Sequence, residues 1–204
     1  GVMQAVAAMK YKYPVVGIIA AAENMISGRA YRPDDIITTM SGKTVQIVSA
    51  DAEGRMVLCD ALTYAQKKYA PRCLVDVATL TGGVVVALGR QAAGIFSNDE
   101  KLQEALIESG RRTHERLWPL PVWDDYLPLI KGDDGDLKNA GGRDAPAICG
   151  AIFLKQFVDP KIPWAHLDIA GVADVENDGP YCPKGATGFG VRLLVDWLER
   201  KKAT

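Results

Sequence analysis

Residues 44–80 read TVQIVSADAEGRMVLCDALTYAQKKYAPRCLVDVATL. The stretch opens on the apolar-rich run Thr44 to Val48 and closes on Leu74 to Leu80, short, β-branched and bounded by turn residues, as a buried strand is. Between them Met56, Leu58, Leu62 and Ala65 keep a helical rhythm as far as Tyr69, and Pro71 marks the next turn. Upstream, Ile36 to Met40 and Thr44 to Val48 flank Ser41-Gly42-Lys43, whose glycine suits a tight turn, so a hairpin is expected. Further upstream, Val15 to Ala20 reads as a buried strand. Val2, Val6 and Met9 stand at helical spacing before Pro14.

Downstream the alternation continues. Ala93 to Phe96 reads as a strand, Leu102 to Thr113 as a helix, Ala147 to Val158 as a helix, Trp164 to Ala170 as a strand and Phe189 to Arg200 as an amphipathic helix. Trp118 to Asp144 carries several prolines and glycines and the acidic cluster Asp133, Asp134 and Asp136, which predicts a long irregular connection. Strands alternating with helices imply an α/β layered fold, its central sheet largely parallel or mixed and flanked by helices.

Composition narrows the function classes. The 204 residues are 48% apolar and 24% charged, ordinary for a globular chain, with one domain as the expectation. A net charge of -1 offers no general attraction to nucleic acid or an anionic membrane. No apolar run approaches the ~20 residues of a membrane span, so the expected location is the cytosol. Cys59, Cys73, Cys149 and Cys182 form no C-x-x-C pair, which argues against a zinc knuckle or redox motif and leaves free thiols.

The chemistry concentrates in Asp51-Ala52-Glu53-Gly54-Arg55. Two carboxylates two residues apart at a strand end leave the same side of an extended chain, and like charges that close repel unless a cation separates them. Hard oxygen donors of this kind suit Mn²⁺ or Mg²⁺, and zinc accepts them too. Helix capping by Asp51 and a dipole interaction of Glu53 would account for the same two residues. Arg55 adds what capping does not require: a cation in the first turn of a helix opposes the macrodipole unless an anion is held there.

Ser49 to Met56 resembles the signature octapeptide of the leucine aminopeptidase family, Asn-Thr-Asp-Ala-Glu-Gly-Arg-Leu, with the Asp-Ala-Glu-Gly-Arg core unchanged. Six other stretches resemble the family in the same order: Ala22 to Met25, Tyr31 to Pro33, Ala78 to Gly82, Asp136 to Asn139, His166 to Gly171 and Gly185 to Gly188. The resemblance implies that Asp51 and Glu53 bind metal, Glu53 bridging two ions, and that Arg55 is catalytic, holding a bicarbonate that serves as general base. It implies two divalent metals (Mn²⁺ or Zn²⁺, with Mg²⁺ and Co²⁺ also compatible) that activate water against the first peptide bond, one of them anchoring the free amine. It places Thr79, Leu80 and Gly82 along the pocket for the substrate side chain, with Ala170 as its far wall.

The family also uses an earlier Gly-Lys-Gly…Phe-Asp-x-Gly-Gly…Lys segment and a later Asp-Met-Gly-Gly, which supply further metal ligands and a catalytic lysine. Neither occurs in this sequence. Residues 1–204 are therefore expected to be the later part of the catalytic domain, with the amino-terminal domain and the first part of the catalytic domain absent, and to bind metal weakly and catalyse little alone. The implied partners are short peptides with a free amino terminus and an apolar first residue, and five further copies in a homo-hexamer; no membrane or nucleic acid is expected. The rival reading is a non-catalytic homologue used as an assembly or DNA-binding architectural module.

His114 and His166 are too few for a histidine-based zinc site, and His166, beside a buried strand, reads as structural. Asp76 and Asp168 lie near predicted strand ends and read as supporting rather than ligating. Thr81-Gly82-Gly83 lacks the ending of a phosphate-binding loop.

Overall fold

The hairpin forms as the glycine predicts. In the computed structural model, which describes residues 1–201, β1 (Ile36–Thr38) runs antiparallel to β2 (Thr44–Gln46), with Ile37 opposite Val45. Gly42 turns at φ 93°, a left-handed value that a side chain rarely adopts, while Thr39 N–H donates to the Lys43 carbonyl. The other elements, in chain order, are α1 (Val2–Met9), α2 (Glu53–Tyr69), β3 (Leu74–Ala78), α3 (Gly82–Leu88), β4 (Ala93–Ser97), α4 (Glu100–Thr113), β5 (Leu117–Pro119), β6 (Leu137–Lys138), α5 (Pro146–Lys155), β7 (Trp164–Asp168), β8 (Asp174–Val175), β9 (Gly185–Ala186) and α6 (Val191–Arg200). The fold is mixed α/β, with parallel and antiparallel pairings and helices beside the sheets.

The chain divides into two compact units, one of residues 18–74 and 121–164, the other of residues 1–17, 75–120 and 165–204. In the first, β6 joins the hairpin by pairing parallel to β2, Val45 opposite Leu137. α2 buries Met56, Cys59, Leu62 and Ala65 and contacts α5. α5 buries seven of its ten residues, Ala147 and Cys149 to Leu154, because PAICGAIFLK is apolar almost all round. Val45, Ile47, Ile130, Ile152, Phe153 and Leu154 complete this core at 0% exposure.

In the second unit the sheet order is β3-β7-β4-β5. β4 pairs parallel to β5 and antiparallel to β7, with Phe96 opposite His166. α4 is capped by Asp99, whose carboxylate accepts from Leu102 N–H at 2.7 Å, and it packs along α6. α1 also lies against α6, and the Tyr13 hydroxyl donates to the Leu198 carbonyl.

Two expectations of secondary structure need correction. Val15 to Ala20 is not a buried strand: residues 14–27 take neither helix nor strand, and Ile19 is 90% exposed. A β-branched run acquires strand structure from a neighbour, and among the described residues none pairs with it. Trp118 to Asp144 is less irregular than its prolines predict, holding β6 and a 3-10 segment, Asp124–Ile130. The stretch after Thr81, for which the sequence carries no assignment, is helical, α3, despite two glycines at its start.

Candidate functional site

β2 ends at Gln46, and the chain turns through a short 3-10 helix, Ala50–Ala52, before α2 begins at Glu53. Asp51 and Glu53 therefore stand on a helical turn rather than on an extended strand, and the same-side argument from strand geometry does not apply. The turn forms because Ala50-Asp51-Ala52 lacks the β-branched residues that precede it. Neither helix start carries a side-chain cap: the capping positions are Ser49 and Ala52, and neither side chain accepts a cap hydrogen bond. Asp51 is exposed and Glu53 half-buried in the first turn of α2.

Arg55, also in that first turn, is buried at 7% exposure. Its cation lies close enough to Cys149 of α5 to pull the thiol down against the burial that pushes it up. A buried guanidinium needs anionic company, so the first turn of α2 offers positive charge beside two carboxylates.

Two segments of the same unit fix this turn in place. Asn139, at 0% exposure after β6, accepts from Val48 N–H at 2.7 Å and Ser49 N–H at 3.1 Å, and donates from Nδ2 to the Ser49 carbonyl at 2.6 Å. Before β1, Asp34 N–H donates to the Ile47 carbonyl at 2.7 Å and Ile47 N–H returns a bond to Asp35 at 2.9 Å. Tyr31 enters there, its phenol pushed up by burial and by the nearby Glu53 carboxylate.

The other unit gathers the remaining candidates around one buried carboxylate. Asp168, at the end of β7 and 0% exposed, accepts from Leu80 N–H at 3.0 Å, Ala170 N–H at 3.3 Å and the Thr81 hydroxyl at 2.7 Å. Thr81 in turn caps α3, accepting from Val84 N–H at 3.2 Å. Leu80 and Ala170 are thus brought together, half-buried; Thr79 and Gly82 are exposed beside them. A Cβ built on Gly82 would meet nothing within 4 Å, which leaves open space at the start of α3.

His166 is fully buried, with Nδ1 2.5 Å from Asp76 Oδ1 and its ring stacked on Phe96 at 5.8 Å. Sequence reasoning gave no role to Thr81, Asn139 or Tyr31. Thr81 had a usable signal, a cap residue immediately before an apolar run; the other two act through contacts between segments distant in sequence.

As a donor set for a divalent metal, Asp51 and Glu53 fit in kind, being hard carboxylate oxygens. They do not fit in number: among the described residues no group of three or more His, Cys, Asp or Glu gathers closely enough to hold an ion.

The catalytic domain of the cytosol aminopeptidase family, peptidase M17, matches residues 1–195. A probable cytosol aminopeptidase of Geotalea uraniireducens is 53% identical over 202 residues, 99% of this chain and 40% of the relative. A mutant of tomato leucine aminopeptidase superposes with a TM-score of 0.81 at 43% identity, covering 88% of this chain and 34% of that one. The bottromycin maturation enzyme BotP, solved in complex with Mn, gives a TM-score of 0.82 at 37% identity, covering 88% of this chain and 40% of its own. The chain spans about 40% of the length of the curated relatives it matches. With the Asp-Ala-Glu-Gly-Arg core at the head of α2 and a match from Gly1 to Val195, the chain belongs to the cytosol aminopeptidase family through its catalytic domain.

Proposed function

We propose that this chain is the later part of an aminopeptidase catalytic domain that removes leucine and other apolar residues from the free amino terminus of short peptides. The observation that carries the reading is the head of α2, where Asp51 and Glu53 flank an uncapped helix start and Arg55 is buried one residue beyond Gly54. Asp51 and Glu53 would hold two divalent ions in part, and the Mn bound by BotP supports manganese, with zinc, magnesium and cobalt as alternatives. When bound, such ions supply Lewis acidity and an activated water at neutral pH.

The chain's own residues do the rest. Arg55 presents a fixed positive charge to an anion, and bicarbonate in the role of general base fits that charge. Thr79, Leu80, Gly82 and Ala170 line the substrate side, held by the bonds that Leu80 and Ala170 make to Asp168. A half-buried leucine beside open space at Gly82 favours an apolar side chain. The assembly is a homo-hexamer, and the setting is the cytosol, as the relatives' name has it; no helix among the described residues is long and apolar enough to cross a membrane.

With only two carboxylate ligands, the polypeptide alone binds metal weakly and turns over little. The test is hydrolysis of a leucyl amide with Mn²⁺ by this chain and by the chain extended with its upstream sequence. Activity in the extended form alone is the expected result. Activity in neither form overturns the enzyme reading in favour of a non-catalytic homologue.

A further inference from the structure

Among the described residues, Asp168 is the buried carboxylate without a cation beside it. Asp76 has His166 and Glu115 has Arg192 within ion-pair distance, whereas Asp168, at 0% exposure, meets only N–H and O–H donors. A buried charge contributes little net stability, because its desolvation offsets what its bonds return. What the bonds do is join two segments. Oδ1 alone accepts from Leu80 N–H at 3.0 Å, Ala170 N–H at 3.3 Å and Thr81 N–H at 3.5 Å, so the chain leaving β3 and the chain leaving β7 are tied to a single atom. Oδ2 takes the Thr81 hydroxyl at 2.7 Å, which fixes the rotation of the carboxylate. The turn after β7 has no slack elsewhere. Ile169 N–H donates to the Ala78 carbonyl at 2.9 Å, and a Cβ on Gly171 would stand 2.3 Å from the Gly89 carbonyl oxygen, just past α3.

We infer that Asp168 is a positioning residue for substrate selection: by holding Leu80 and Ala170 to one oxygen, it sets the spacing between two walls of the pocket for the substrate's first side chain. The inference rests on the reading of Leu80 and Ala170 as pocket-lining residues. A pocket discriminates only if its walls keep their places, and in a fixed apolar site one methylene is worth about 10–200-fold between competing substrates. Asp168→Ala leaves both amides unpartnered and the walls free to part. Asp168→Asn keeps an oxygen for the two amides and turns its own N–H to the Thr81 hydroxyl oxygen.

The test has two parts. In this chain without metal, amide exchange at Leu80 and Ala170 is expected to rise together in Asp168→Ala, because both lose the same acceptor; unchanged exchange at either overturns the shared tie. In the chain extended with its upstream sequence and supplied with Mn²⁺, kcat and KM are measured on alanyl, leucyl and phenylalanyl amides. Asp168→Ala is expected to lower the preference for the leucyl amide, as a ratio of kcat/KM values, by roughly 10-fold, and Asp168→Asn to keep most of it. Ala170→Val, which narrows the far wall, is expected to penalise the phenylalanyl amide. If Asp168→Ala slows all three amides equally while Ala170→Val changes the ratios, the Asp168 inference is overturned and the lining reading stands. If neither variant changes the ratios, or the wild type cleaves none of the amides, the lining reading falls and takes the inference with it. Where the melting curve shows that Asp168→Ala does not fold, Thr81→Val decides in its place: it releases Oδ2, and unchanged ratios overturn the inference.

Discussion

Asn139 grips Ser49 from both sides, accepting its N–H at 3.1 Å and donating to its carbonyl at 2.6 Å, two residues before Asp51. The side chain has no exposed surface, so each of these bonds is made in a setting where water cannot replace it. Asn139→Ala strands the Val48 and Ser49 amides and the Ser49 carbonyl. The expected loss is about 2–4 kcal/mol by chemical denaturation, from several unsatisfied buried groups at about 1–3 kcal/mol each with partial relaxation. Asn139→Asp keeps the acceptor and loses the donor, and should retain part of that stability.

A second prediction concerns Thr81. Its hydroxyl donates to Asp168 and accepts from Val84 N–H, so one atom both caps α3 and satisfies a buried carboxylate. Thr81→Val keeps the shape and removes both bonds. A lost cap costs about 1 kcal/mol, and a lost bond to a charged acceptor about 1.5–3 kcal/mol, so a drop of about 3 kcal/mol is expected in a denaturant titration. Thr81→Ser should recover most of it. Equal stability of Thr81→Val and the wild type would remove Asp168 as the organiser of the Leu80 and Ala170 backbone.

The pH dependence has a definite sign at Asp136. The backbone N–H and the hydroxyl of Thr44, at 2.8 and 2.9 Å, favour the ionised carboxylate and hold it below the usual range, against a smaller desolvation effect. A depressed folded value contributes stability that is fully present above the unfolded value of about 4 and is lost as pH falls through the folded value. Asp136→Ala should therefore melt below the wild type at pH 7, with the gap shrinking as the pH is taken below about 4. A gap that holds constant to the acid limit would show that charge plays no part. The carboxylate is fully exposed to solvent, so the gap should also narrow in salt.

How much of this was legible in the sequence depends on whether the cause is local. The β1–β2 hairpin was, because Gly42 supplies a left-handed turn within its own tetrapeptide. So were α2, α4 and α6, whose apolar residues recur at the helical period. Val15 to Ala20 was misread because an apolar β-branched run predicts a strand only if a neighbour is available. α3 has no clear sequence signal because Gly82 and Gly83 are poor helix formers, and the cap from Thr81 outweighs them. Asp51, Glu53 and Arg55 could be picked out as a group because they sit within five residues. Their setting on a 3-10 turn rather than a strand could not, since Asn139, 90 residues from Ser49, fixes the chain at that point.

Glu115 provides the last prediction. At 1% exposure it accepts from Gly190 N–H at 3.0 Å and Leu193 N–H at 2.8 Å, and Arg192 Nε lies 3.2 Å from its other oxygen. One carboxylate thus does for α6 what a cap residue would do, on a helix whose own capping position, Gly190, has no side chain. Arg192 is half-exposed and contributes little by itself, since an ion pair open to water is worth about 0–1 kcal/mol. The two amides carry the effect, because they lose both water and partner when the carboxylate goes. Glu115→Ala should cost about 2–4 kcal/mol, from two buried amides left unpaired at about 1–3 kcal/mol each with partial relaxation, and Arg192→Ala about 1 kcal/mol or less. The two should be compared by urea titration and by amide exchange at Leu193. If Arg192→Ala proves the more damaging, the helix is held by the surface pair and the capping role assigned to Glu115 fails.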